Sequence, residues 1–495
     1  MQMIHISDIS SALRCERRTW NAKHMEQTGV PEAHSFRIVS FSTLWESYLD
    51  IPEGCEGFAW ETTEHSLGIL EEYGVGVHLR FEYNGCRTKI PCLKKNETGW
   101  TAIYPTLSPS ARDHDLNTMA LNSIMLEKLG VKITDHKVLF LNSAYVRHGD
   151  LIPEEMLIET RHFNSRGSNF KTATIQEMVE EAKKELDLDA LIASTSAMLE
   201  SETAPEAIRT RQCTAPRKCS WYASCFAEDH LADNDALQLS SASHKAELSK
   251  PGMKLKDIPG DLIDGFDIQY AQIMADKNGG VFMDKTGINT WLNSLQWPLC
   301  YLDFEWDTFA FPPYDGMRPF DVLCFEYSLH IQNQDGLLEH KSFFGGQDCR
   351  KRFIESLIED MPEEGSILVF NMEGAEKLRL NQLAEQFPEY ARPLHTMTER
   401  MVDLAALFDK GLYYDVRQKG HFSLKTMLPL FSKETGYSQL DISDGMQAVE
   451  AYRKLPHVSE EEQEQIAEAI DTYCSMDTYA EVIIVDGLRT KAAED

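Results

Sequence analysis

Pro298-Leu-Cys-Tyr-Leu-Asp-Phe-Glu305 is an apolar run broken by two acids. In an extended chain residues i and i+2 share a face, so a strand here aims Asp303 and Glu305 into one pocket. Two carboxylates in a buried strand are costly unless paired, protonated or bound to metal. Hard oxygen ligands suit Mg²⁺ or Mn²⁺. Such a pair alone also fits a strand edge with solvated acids, so the rest of the chain decides. Val322 to Ile331 (VLCFEYSLHI) reads as a second strand and Ser366 to Asn371 (SILVFN) as a short buried one. Phe370-Asn371-Met-Glu-Gly-Ala-Glu376 turns that strand into a helix running to Gln386, and Asp403 to Leu412 predicts a further helix. Ser459-Glu-Glu-Glu462 is a capping-box pattern that opens a last helix toward Val485. Within it, Tyr473-Cys-Ser-Met-Asp477 puts Tyr473 and Asp477 on one helical face. Strands first and helices after predict an α/β sheet covered by helices over residues 291–495.

Upstream, residues 234–290 are punctuated by Ser240-Ser-Ala-Ser243, Pro251-Gly252 and Pro259-Gly260, with apolar residues between, and predict a small helical connector. Residues 1–233 predict a third, mixed region. Val77 to Leu93 reads as a hairpin turning at Asn84-Gly85, Ala120 to Leu129 as a helix, and Lys137 to Val146 as a strand. Thr174-Ile-Gln-Glu177 is a capping box opening a helix toward Lys184.

Cys213, Cys219 and Cys225 are evenly spaced, and Cys15 lies far upstream in Ala12-Leu-Arg-Cys-Glu-Arg-Arg-Thr-Trp20. Four thiolates suit a [4Fe–4S] cluster or Zn²⁺. Cys55, Cys86, Cys92, Cys300, Cys324, Cys349 and Cys474 are expected to be buried thiols. Arg14, Arg17, Arg18 and Lys23 make a small basic patch, which a solvated helix face also explains.

The chain has 48 Lys+Arg against 79 Asp+Glu, a formal net charge of −31, so it does not coat nucleic acid by bulk charge. Acidity does not exclude nucleic acid, because a carboxylate site becomes locally positive once ions bind. No export signal or apolar run long enough to span a membrane is visible, and 11 cysteines are expected to be reduced thiols in a cytoplasm.

Taken in order, Asp303-x-Glu305, the Asn371 to Glu376 turn and Tyr473-x-x-x-Asp477 resemble the DEDD superfamily of 3′–5′ exonucleases, in its tyrosine-bearing (DEDDy), DnaQ-like branch. That resemblance implies an RNase H-like fold with a mixed sheet, in which Asp303, Glu305, Glu376 and Asp477 hold two Mg²⁺ or Mn²⁺ ions and Tyr473 orients the attacking water. The family usually has Asp where this chain has Glu376, which is one methylene longer. The implied reaction is two-metal hydrolysis of DNA or RNA from a 3′ end; the alternative is a catalytically weak nucleic-acid-binding or scaffold protein that keeps the fold. Cys15 with the later triplet resembles the cluster-bearing RecB-like nucleases, including CRISPR-associated exonucleases. This implies a degenerate PD-(D/E)XK-like domain whose [4Fe–4S] cluster, or zinc, is held by Cys15, Cys213, Cys219 and Cys225. An active member needs acids where this chain has Lys89-Ile-Pro-Cys-Leu93 and Ala102-Ile-Tyr-Pro-Thr106, so the amino-terminal half is expected to be catalytically dead. Leu302-Asp-Phe-Glu305, Phe325-Glu-Tyr-Ser-Leu-His330, Arg400-Met-Val-Asp-Leu404, Phe422-Ser-Leu-Lys-Thr-Met-Leu-Pro429 and Tyr473-Cys-x-x-Asp-Thr478 resemble a bacterial domain family of unknown function joining two such halves. Asp403 reads as a turn cap, Lys425 as a surface lysine behind the helix-opening Ser423, and His330 as a satisfied histidine. Protein partners are not legible.

Overall fold

Asn84 and Gly85 close a two-residue turn in which both have positive φ, 47° and 75°. This is the twist that suits the two strands it joins. The structure is a computed structural model that describes residues 3–25, 33–163, 172–213, 219–226, 232–248 and 252–494. The chain divides into two units, Met1–Ile208 with Ala310–Phe320, and Arg209–Phe309 with Asp321–Asp495.

The first unit holds a mixed sheet of β1 (Ile4–His5), β2 (Val75–Tyr83), β3 (Cys86–Lys95), β4 (Trp100–Thr106), β5 (Ile133–Leu141) and β6 (Leu157–Thr160). The order is β1-β3-β4-β5-β6, with β2 antiparallel along β3. The strand expected to reach Val146 stops at Leu141, because Asn142 takes the Ala144 N–H (3.0 Å) in a side-chain turn. The expected helix near Ala120 begins earlier, as α1 (Leu116–Lys128). Thr174 opens α2 (Ile175–Lys183) with a complete capping box: Thr174 Oγ1 accepts from Glu177 N (3.2 Å) and the Glu177 carboxylate accepts from Thr174 N (2.7 Å). The basic patch is partly committed to structure. Arg14 donates to the His114 carbonyl, and Arg17 to that of Pro205 (2.7 Å).

In the second unit the expected helical pieces of residues 234–290 are present, and Val281–Met283 adds a strand, β7, paired with Tyr413–Asp415. A five-stranded mixed sheet follows from β8 (Leu299–Thr308), β9 (Val322–Gln332), β10 (Leu338–Phe344), β11 (Ser366–Val369) and β12 (Met401–Asp403), in the order β10-β9-β8-β11-β12. β8, β9 and β10 are antiparallel neighbours, whereas β11 and β12 run parallel to β8. Asp403–Leu412 is not one helix. Its start pairs with β11, and the Asp403 carboxylate accepts from Asn371 N (3.0 Å) and Ala405 N (2.9 Å), leaving only Ala405–Asp409 helical.

Alternation along β8 decides the unit's layers. Cys300, Leu302 and Phe304 join a core with the helix Arg350–Asp360 and with α3 (Glu376–Gln386). Leu299 and Tyr301 face the other way, onto Val482, Ile484, Val485 and Leu488 of the last helix. Asp303 and Glu305 continue that second face. The last helix runs past the expected Val485, from Glu460 to Ala493, and Ser459 caps it by accepting from Glu462 N (3.3 Å). A shorter helix, α4 (Leu424–Phe431), packs against it. At Gly487 a Cβ would stand 2.4 Å from the Phe431 ring, so glycine permits this approach. Two further helices follow, α5 (Gly445–Lys454) and the last one, α6 (Glu460–Ala493). Among the described residues no helix is long and apolar enough to cross a membrane.

Candidate metal centre

β8 delivers Asp303 and Glu305, and α6 delivers Asp477 across the same face. Each of the three offers a carboxylate oxygen, and these oxygens lie within 4.8 Å of one another. Among the described residues this is the one such group of His, Cys, Asp or Glu side chains. Glu376, the first residue of α3, is fully buried and reaches Asp303 from a third direction. The turn that brings it there passes through Asn371 in the left-handed region (φ 73°), pinned by its N–H on Asp403.

The acids outnumber their donors. Glu326 stands directly opposite Glu305 on β9, is fully buried, and receives no N–H or O–H on either oxygen. Its polar neighbour is Asp471, another acid, so a hydrogen bond between them requires a shared proton. Glu481, one turn beyond Asp477, is also buried and has one oxygen without a donor. Glu376 Oε2 is in the same state, so its contact with Asp303 likewise needs a proton.

The electrostatics follow from that crowding. Burial first, then the Asp477 charge, raises Asp303 well above the usual carboxylate range, although Asp303 keeps a partial opening to solvent. Burial and then Asp303 raise Glu305 and Glu376 in the same way, and Glu481 as well. Burial and Asp471 push Glu326 up to about 11. Asp477 rises only to about 6, because burial is offset by hydrogen bonds from Tyr437 and Tyr473 and by the Lys425 charge.

Three donors trim the site. Tyr437 Oη donates to Asp477 Oδ1 at 2.5 Å, and the Cys474 thiol donates to Asp303 Oδ2 at 3.4 Å. Lys425 Nζ donates to Tyr473 Oη at 3.2 Å. A Cβ at Gly445 would lie 3.5 Å from Glu305 Oε2, so the amino-terminal end of α5 rests against that carboxylate. Asp444 caps this helix by accepting from Gln447 N (3.0 Å).

The donor set fits a divalent cation. It supplies hard oxygens in excess, several of them buried without hydrogen-bond donors, and an ion would replace the protons they otherwise require. Asp303, Glu305, Asp477, Glu376 and Tyr473, each named from sequence, are brought to one place. Asp403 is the expected cap, and His330 is satisfied by Thr478 Oγ1 (2.8 Å). Lys425 is exposed, as expected of a surface lysine, and its amine also reaches the site through Tyr473. Glu326, Glu481 and Tyr437 were not anticipated. Glu326, Ser328, His330 and Gln332 form a polar alternation on β9 that could have shown the first, whereas no local pattern marks Tyr437. The seven cysteines expected to be buried are buried, and Cys15, Cys213, Cys219 and Cys225 are partly exposed. Cys213 and Cys219 are tied by a backbone bond, Cys219 N to Cys213 O (2.9 Å).

Residues 300–423 match the model of a family described as a domain of unknown function (DUF2779). The matched stretch contains Asp303, Glu305 and Glu376 and ends before Lys425. No curated protein and no solved structure matches the chain.

Proposed function

We propose that this chain is a metal-dependent 3′–5′ exonuclease acting on DNA or RNA, with its chemistry in the carboxy-terminal unit. The observation that carries this is the cluster of Asp303, Glu305 and Asp477, walled by further buried acids with carboxylate oxygens that receive no donor. Asp303, Glu305, Asp477 and Glu376 would hold two Mg²⁺ or Mn²⁺ ions. Bound there, such ions stabilise charge on the phosphoryl oxygens and acidify water. Tyr473, beside Asp477, is suited to hold a water in line with phosphorus. Hydrolysis joins that water's oxygen to phosphorus and breaks the bond to the 3′ oxygen, which leaves with a proton as a hydroxyl. The released product is a nucleoside 5′-monophosphate.

The mixed sheet and its acid-bearing first strand agree with an RNase H-like, DnaQ-like assignment for this unit. The amino-terminal sheet agrees with a degenerate RecB-like domain, as β3 and β4 carry no acid. Four of the eleven thiols, Cys15, Cys213, Cys219 and Cys225, are the partly exposed ones, and we assign them to a [4Fe–4S] cluster or to Zn²⁺. A reducing cytoplasm suits eleven free thiols. The test is a panel of 3′-labelled single-stranded and duplex DNA and RNA with Mn²⁺ or Mg²⁺. Wild type shortens at least one strand and Asp303→Ala shortens none; full activity in that variant would remove the site assignment.

A further inference from the structure

Lys425 is carried on the first turn of α4, and α4 is seated against α6 by the contact of Phe431 with Gly487. The residue is exposed overall, yet its ammonium group lies against two aromatic rings. Nζ lies 5.0 Å from the Tyr473 ring centre and 5.6 Å from that of Tyr437. The two rings are 6.3 Å apart and tilted by 55°. An ammonium against two π-faces is held electrostatically and gives up little hydrogen bonding, because it still donates to Tyr473 Oη at 3.2 Å.

That donation has a chemical consequence. A phenol has one O–H and two lone pairs. With Nζ–H occupying a lone pair, the Tyr473 proton points away from Lys425, to the side of the site where Asp477 takes it and where an attacking water would take it instead. The hydroxyl is thereby committed as a donor. Tyr437 meanwhile donates to Asp477 Oδ1.

We infer that Lys425 is a positioning residue for the proposed hydrolysis: clamped between Tyr437 and Tyr473, it fixes the Tyr473 hydroxyl as a donor facing the reacting water. It does not hold the metal, and it does not make Tyr473 a base. The inference rests on the exonuclease reading.

The experiment compares wild type, Lys425→Met, Lys425→Arg, Tyr473→Phe and the Met/Phe double variant. The substrate is whichever 3′-labelled strand wild type shortens, and Mn²⁺ binding is followed separately by calorimetry. Lys425→Met is expected to lower kcat on the order of tenfold to a hundredfold with KM within about twofold. Lys425→Arg, which keeps a cation and donors over the rings, recovers part of that loss. The double variant is no slower than Tyr473→Phe alone, because both changes remove the same constraint. Mn²⁺ isotherms of Lys425→Met match wild type. A raised KM with unchanged kcat would make Lys425 a substrate-binding residue and overturn the inference, as would additive losses or a lost Mn²⁺ isotherm. Lys425→Gln repeats the comparison if the Met variant folds poorly. If wild type hydrolyses no strand, the exonuclease reading itself falls. If wild type hydrolyses and Lys425→Met does so equally well, only the role of Lys425 falls.

Discussion

β3 and β8 are both interior strands of mixed sheets, and both alternate. β3 buries Cys86, Ile90 and Cys92 and turns Lys89, Lys94 and Lys95 to solvent. β8 buries Cys300, Leu302 and Phe304 on one face, but its other face continues from Leu299 and Tyr301 into Asp303 and Glu305. The first strand spends one face on cohesion and turns most of the other toward solvent. The second gives up part of one face to groups that weaken the fold unless a cation arrives. Substitutions in the two strands are therefore expected to separate stability from chemistry.

The largest effect is at Asp303. Asp303→Ala is expected to reduce hydrolysis on the order of 10³-fold or more and to abolish the Mn²⁺ isotherm. The metal-free variant should melt no lower than wild type, since a buried carboxyl that crowds three others has been removed. A variant that binds Mn²⁺ normally, or that melts well below wild type, would mean that Asp303 is a structural acid like any other. Ile90→Ala in β3 is the mirror image. It empties a fully buried site and should cost about 2–5 kcal/mol by denaturant unfolding. Mn²⁺ affinity and kcat of the folded fraction should stay unchanged, and a change in either would link the first sheet to the chemistry.

How much of this was legible depended on how local the signal was. The Asn84-Gly85 turn, the Thr174 capping box and the strand at β8 are decided by a few adjacent residues, and each forms where expected. Asp303, Glu305, Tyr473 and Asp477 were legible because spacings of two and four residues fix shared faces. Glu376 follows from a strand-to-helix turn. What stayed hidden depends on pairing across long stretches of chain. Met401–Asp403 becomes a strand only because β11 lies beside it. Tyr437 reaches Asp477 from a loop with no period to betray it.

Asp307 shows the same limit within β8. It extends the alternation of Asp303 and Glu305 by one step. The structure separates it, because Arg453 donates to both of its oxygens (2.6 and 2.5 Å). An acid paired in this way has a cation already and needs no metal. Asp307→Ala strands that guanidinium beside the strand, and is expected to cost about 2–3 kcal/mol, less than a fully buried pair because Arg453 keeps partial exposure. The Mn²⁺ isotherm should persist. Its loss would show that the metal site extends one more step along β8.

Glu326 gives the finest version of the contrast, since it is a buried acid with neither a cation nor a place among the three clustered carboxylates. Its pKa stands near 11 in the folded protein, against an ordinary carboxylate value when unfolded. Below about pH 4 both states are protonated and the group is neutral to stability. As pH rises, the unfolded chain releases the proton while the folded protein retains it, so stability falls steadily through the neutral range. The other raised acids of the site add to the same slope, with the Asp477 contribution ending near pH 6. Metal-free wild type should therefore melt lower at pH 8 than at pH 5, and added Mn²⁺ should recover more at pH 8, where fewer protons must be displaced. Glu326→Gln keeps the shape, can donate its amide to Asp471, and carries no proton to lose. It should flatten the slope and be more stable than wild type by about 1 kcal/mol or more at pH 8. At pH 4 the difference should vanish, and Mn²⁺ binding should be retained throughout. If Glu326→Gln instead loses Mn²⁺, then Glu326 is a ligand, and the boundary between the acids that bind and the acids that merely crowd them lies one strand further out, on β9.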